Sequence, residues 1–131
     1  MRRALAAWAP ALLWAAAIFS LSSRPTHPPG PEIPDFDKLA HFGAYALGGF
    51  LLARGAAATR LAGAWALALG WLFGVSDEVH QIFVPGRSPE LADWVADALG
   101  VAAGIYLFQA WQARRARGGA PLAEGAGPVQ P

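Results

Sequence analysis

The chain has 131 residues, 55% of them hydrophobic and only 15% charged, with a net charge of +1 and a mean hydropathy of +0.33. That balance is too apolar for an ordinary soluble domain of this length, and the absence of cysteine excludes a disulfide framework, a thiolate metal site and a thiol nucleophile. Charge is gathered in narrow blocks, as membrane helices require, with no sustained basic stripe of the kind that binds nucleic acid.

After the basic opening Arg2-Arg3, residues 4–23 (ALAAWAPALLWAAAIFSLSS) carry no formal charge. At ~1.5 Å per residue this stretch crosses a ~30 Å hydrocarbon core. A cleaved signal peptide is the rival reading, but the long Trp-containing core and the poor A-x-A site favour a retained span. Residues 24–34 (RPTHPPGPEIP) are too rich in proline for helix and are expected to form an external loop.

Asp35 is placed to cap a second helix over 37–53 (DKLAHFGAYALGGFLLA), stopping near Arg54-Gly55. Thr59 is placed to cap a third. The uncharged part of that helix, 61–76, is short for a span, so the expected helix covers 60–84 and takes in Asp77, Glu78, His80 and Gln81 before Pro85-Gly86 ends it. Asp77 then lies about 10 Å along the axis from the helix end.

Ser88-Pro89-Glu90 combines a capping hydroxyl, a proline at the first helical position and an acid in the first turn, and starts a fourth helix over 89–111. Its Gly100-x-x-x-Gly104 pair permits close approach of another helix. Residues 118–131 (GGAPLAEGAGPVQP) lack any apolar period and read as a disordered cytoplasmic tail, leaving 1–117 as one membrane domain.

Placing the amino terminus inside puts Arg2, Arg3, Arg54, Arg60, Arg114, Arg115 and Arg117 on the cytoplasmic side, against Arg24, Lys38 and Arg87 outside. The expected fold is therefore all-α, a four-helix transmembrane bundle with both termini cytoplasmic. The same topology carries the polar ends of helices two, three and four to the outer face.

Those polar ends are the candidate site, since ionisable groups inside a membrane are costly unless paired or set in a wet cavity. On helix two, Asp37, Lys38 and His41 project toward a shared face that continues to Tyr45. On helix three, Asp77, Glu78 and Gln81 lie together; His80 faces elsewhere and reads as interfacial. On helix four, Asp93, Asp97, Gly100 and Gly104 form a 4-3-4 stripe. Arg87, after the Pro85-Gly86 turn, is able to fold back over the acids, and its guanidinium suits a carboxylate or a phosphate. A bland alternative is that these groups only neutralise one another and pin the helix ends.

The segments DKLAHFGAYALGGFLL and SDEVHQIFVPGRSPELADWVADALGVAAG, across residues 37–104, resemble the VanZ-like family of bacterial membrane proteins. Its pattern is an Asp-Lys-x-x-His-Phe opening, an acidic Asp-Glu-x-x-Gln stretch, Pro-Gly-Arg, and an Asp before a small-residue helix. The Asn often found in the family's last helix is Asp97 here, which adds an acid. The resemblance implies a multi-pass protein of the bacterial cytoplasmic (inner) membrane, related to one associated with resistance to the glycopeptide teicoplanin, and it supplies no mechanism.

Three functions compete. The preferred one is an envelope protein whose outward-facing pocket holds a polar, anionic lipid headgroup or a lipid-linked cell-wall component. In it Lys38 and Arg87 contact the anionic group, while His41, Asp77, Glu78, Gln81 and Asp93 orient it. The second is a membrane hydrolase or transferase using Asp77 or Glu78 near His41, with or without a divalent cation; the absence of a His-Glu-x-x-His motif, a phosphate loop or a nucleophile elbow weighs against it, and no cofactor or metal is assigned. The third is a structural or proton-coupled helix assembly.

Overall fold

The computed structural model describes residues 2–25 and 36–118. These form four helices and no strand: α1 (Arg2–Ser22), α2 (Phe36–Ala58), α3 (Gly63–Gln81) and α4 (Leu91–Gly118). Asp35 and most of the proline-rich loop lie outside the described residues, as do 119–131 of the expected tail. By length and composition, α4 and residues Arg3–Ser22 of α1 are apolar enough to cross a membrane.

The helix boundaries differ from the expected ones in three places, each for a local reason. α2 does not stop at Arg54-Gly55 but continues to Ala58, because Arg54 points outward and donates to the Ala7 carbonyl of α1 (3.2 Å). Thr59 does not cap α3. Its hydroxyl turns back onto the Gly55 carbonyl (2.8 Å), and Arg60, at φ 60°, takes the left-handed position of a Schellman ending. The Leu61 N–H reaches Ala56 O and the Arg60 N–H reaches Ala57 O.

α3 accordingly begins at Gly63 and ends at Gln81, three residues short of the expected Val84. Beyond His80 the chain tightens into i→i−3 bonds, Phe83 N–H to His80 O and Val84 N–H to Gln81 O. A turn follows in which the Arg87 N–H bonds Val84 O (3.1 Å). Pro85 at its second position and Gly86 at its third, with φ 78°, match a type II turn, which demands a positive φ where glycine stands.

α4 starts at Leu91, later than expected. The Glu90 carbonyl accepts from Asp93 and Trp94, so Glu90 rather than Ser88 occupies the cap. The helix then runs past Trp111 to Gly118, with the Arg115 guanidinium over the Trp111 ring (4.4 Å).

α2 and α4 are the most intimately packed pair. Small residues make this possible: a Cβ on Gly100 would strike the Phe42 carbonyl, one on Gly104 the Ala46 carbonyl, and one on Gly49 the Val101 backbone. α1 lies across α2, with the Trp14 ring over Gly48 and the Trp8 ring over Gly55, and the Trp14 indole donates to Ala44 O (2.9 Å). α3 closes the remaining side, with Ala66 fully buried and Phe73 against Trp14 (5.0 Å between centroids). Outward-facing apolar residues are found on every helix: Leu13, Leu47, Leu72 and Leu99 are each more than half exposed.

Gly104→Ala is expected to destabilise the bundle by about 2 kcal/mol, because the added carbon meets backbone that cannot step aside. Gly43→Ala, which adds a carbon where nothing lies within 4 Å, should be neutral. Thermal unfolding of both variants in detergent checks the pair; equal stability would refute the proposed backbone contact.

Candidate functional site

The amino-terminal ends of α2 and α4 and the carboxy-terminal end of α3 meet at one end of the bundle. Lys38 is the centre of the first group there. Its ammonium lies 2.7 Å from carboxylate oxygens of Asp37, Glu90 and Asp93. Three acids from two helices thus surround one cation, and the Asp93 side chain is only 5% exposed. Carboxylates removed from water this far need a cation or several donors.

One turn further along α2, the His41 Nδ1 lies 2.9 Å from Asp97 Oδ1, and its Nε2 is 3.8 Å from Asp93 Oδ2. The i, i+4 spacing of Asp93 and Asp97 sets both on the face of α4 that meets α2. The bonded partner of His41 is therefore Asp97, beside which Asp77 and Glu78 also stand.

α3 adds three more polar residues to this end: Asp77, Glu78 and Gln81 are all buried. Glu78 Oε2 accepts the Glu90 N–H (2.9 Å), so the carboxylate of α3 satisfies a backbone donor at the start of α4. A negative charge there also complements the helix dipole. Carboxylate oxygens of Asp77, Glu78 and Asp97 lie within 4.8 Å of one another. Five atoms in this region are buried without a hydrogen-bond partner among the described residues: the Tyr45 hydroxyl, Glu78 Oε1, Gln81 Nε2, Trp94 Nε1 and Asp97 Oδ2.

Pro85 and Gly86 form the turn at the same end, and Arg87 follows it, partly exposed and engaged with its surroundings. His80 turns away from the acids: its ring stacks on Phe19 (4.5 Å) and bonds Ser23 Oγ (3.0 Å), tying α3 to the end of α1. Among the sequence candidates, Asp37, Lys38, His41 and Asp93 make one network, and Asp77 and Glu78 join it through Asp97 and Glu90.

Three participants were not among those candidates. Glu90 was read only as a first-turn acid, although it stands three residues before Asp93 and so on the same face. Asp97 and Tyr45 were seen to continue the polar stripes, but nothing in the sequence marked them as buried. With six carboxylates against Lys38, Arg87 and the His41 ring, this end of the molecule holds an excess of acid.

The fold and the site together define a small all-helical protein, membrane-like in part, with an acid-rich polar network at one end of its bundle. The chain belongs to the VanZ/LLP1 family, whose model matches residues 4–112. No curated protein and no solved structure matches it.

Lys38→Met strips Asp93 of its cation and is expected to cost about 2 kcal/mol of stability, below the ~3–5 kcal/mol of a fully buried pair because Lys38 is partly exposed. Asp93→Asn in the same chain should recover a good part of the loss. A double-mutant cycle by thermal or denaturant unfolding checks this, and strictly additive losses would show that the pair is not coupled.

Proposed function

We propose that this is a four-span protein of the bacterial cytoplasmic membrane, both termini inside, that binds a polar lipid headgroup or a lipid-linked envelope component at the outer, polar end of its bundle. The observation that carries the reading is the convergence at that one end of buried polar atoms that find no partner among the described residues. Polar groups are left unsatisfied in a protein interior at a cost of roughly 1–3 kcal/mol each, so a site that gathers them is suited to a ligand that supplies the missing bonds.

The outward Leu residues on all four helices support the membrane part of the proposal, since a soluble monomer rarely exposes apolar surface on every side. α2 and α3 carry acids and His41 only toward the polar end; apart from Arg54 near the other end of α2, the rest of each is uncharged. Ionisable groups so placed lie near the headgroup level rather than at the bilayer centre.

Lys38 is already held by three carboxylates, so its part in the site is to organise Asp37, Glu90 and Asp93 rather than to meet an anion alone. The acid excess favours a headgroup with an amine, or an anionic one that arrives with its own counter-ion. Arg87 at the rim suits a phosphate oxygen. A lipid-linked envelope component agrees with the resemblance to a glycopeptide-resistance protein.

Native mass spectrometry of protein extracted in gentle detergent tests the binding. The wild type should carry one class of polar lipid, and an Asp93→Asn, Arg87→Ala double variant should lose it; identical lipid complements in the two would remove the proposed role of this end. Topology has a separate test, made simple by the absence of cysteine. Ser88→Cys should react with an impermeant maleimide on intact cells or spheroplasts, and Arg60→Cys only after the membrane is opened. The reverse pattern would invert the orientation.

A further inference from the structure

The polar end contains two carboxylate clusters, and they differ in what fills them. In the first, Asp37, Glu90 and Asp93 close around the Lys38 ammonium. The second is made of Asp77, Glu78 and Asp97, whose carboxylate oxygens all lie within 4.8 Å of one another, with the His41 imidazole as the basic group bonded to it, through Asp97. Each of these three acids is at least nine-tenths buried.

We propose that the Asp77–Glu78–Asp97 cluster is a binding site for one hard divalent cation of the magnesium, manganese or calcium class. Glu78 Oε1 and Asp97 Oδ2 have no hydrogen bond among the described residues, while Glu78 Oε2 is fixed by the Glu90 N–H and Asp97 Oδ1 by His41. Each of these two carboxylates is thus anchored through one oxygen and presents the other. Oxygens on opposite sides of such an ion lie about 4–5 Å apart, twice a metal–oxygen bond of ~2.1–2.5 Å. The observed spread fits around a single ion.

A second observation, independent of the acids, points the same way. Tyr45, on α2 and only 1% exposed, turns its hydroxyl toward the Asp77 carboxylate, with Asp97 and Glu78 also near, but makes no hydrogen bond of full geometry among the described residues. A neutral phenol oxygen enlarges an all-oxygen donor set without adding charge, and such a set selects hard cations over zinc or copper.

The inference does not require that a lipid be bound. The test is therefore made on chelator-treated protein washed free of lipid in detergent, with Mn2+ as the probe, read by electron paramagnetic resonance and by calorimetric titration. The wild type should take up one Mn2+ per chain, displaced by excess Mg2+ or Ca2+. Asp77→Asn and Glu78→Gln should each weaken it by at least about tenfold. Asp37→Asn, in the cluster that Lys38 fills, should leave the Mn2+ titration unchanged.

A folded wild type that binds no stoichiometric Mn2+, or folded Asp77→Asn and Glu78→Gln proteins that bind as the wild type does, would overturn the site. Should those variants fail to fold, the wild-type stoichiometry and the Asp37→Asn control still decide. Unchanged lipid retention in the Asp93→Asn, Arg87→Ala variant, alongside wild-type Mn2+ binding, would refute the headgroup reading and leave the cation site standing.

Discussion

The structure depends on the distance between α2 and α4. Asp93 and Asp97 are nearly out of reach of solvent, and a carboxylate in such a place is tolerable only when a cation or a donor lies within hydrogen-bond range. Lys38 and His41 provide that, and they reach because Gly49, Gly100 and Gly104 let the two backbones touch. Small residues and paired charges are thus one device. The glycines set the separation, and the separation makes the burial of acids affordable.

The other helices are fitted around this pair. α3 is bound to α4 at the polar end by a carboxylate, Glu78, that takes a backbone N–H at the helix start. α1 is held quite differently, by two tryptophan rings seated over two glycines of α2 and by one indole hydrogen bond. The polar end is therefore a joint of charges, and the far side a joint of aromatic packing.

Much of this was legible in the residues. Four apolar stretches in order, the prolines between the first two, Pro85-Gly86 and the i, i+4 polar stripes gave the helix count and the common end of the charged residues. Helix ends were less legible. Arg54-Gly55 looks like a stop, yet the arginine finds a carbonyl on α1 and the glycine finds a tryptophan, both contacts across helices. Thr59 looks like the start of α3, yet its hydroxyl serves α2. The cap of α4 is equally non-local, because its acceptor comes from α3 rather than from Ser88. Within the site, sequence spacing showed which acids share a face but not which cation each one meets. Lys38 with its three acids, and His41 with Asp97 rather than Asp77, are decided by how α2 turns against α4.

The partners that neutralise α2 are made late. Lys38 precedes Glu90 by 52 residues, and His41 precedes Asp97 by 56. At a synthesis rate of about 5–20 residues per second, Lys38 leaves the ribosome with only Asp37 beside it, roughly 3–10 s before Glu90 and Asp93, and His41 precedes Asp97 by a similar interval. During that interval the first two helices exist without the helix that completes them. The pairing of α2 with α4 thus sets a timing constraint on biogenesis: on the membrane topology proposed above, the start of α2 waits at the wet boundary of the bilayer, or in the shelter of the insertion machinery, until α4 arrives.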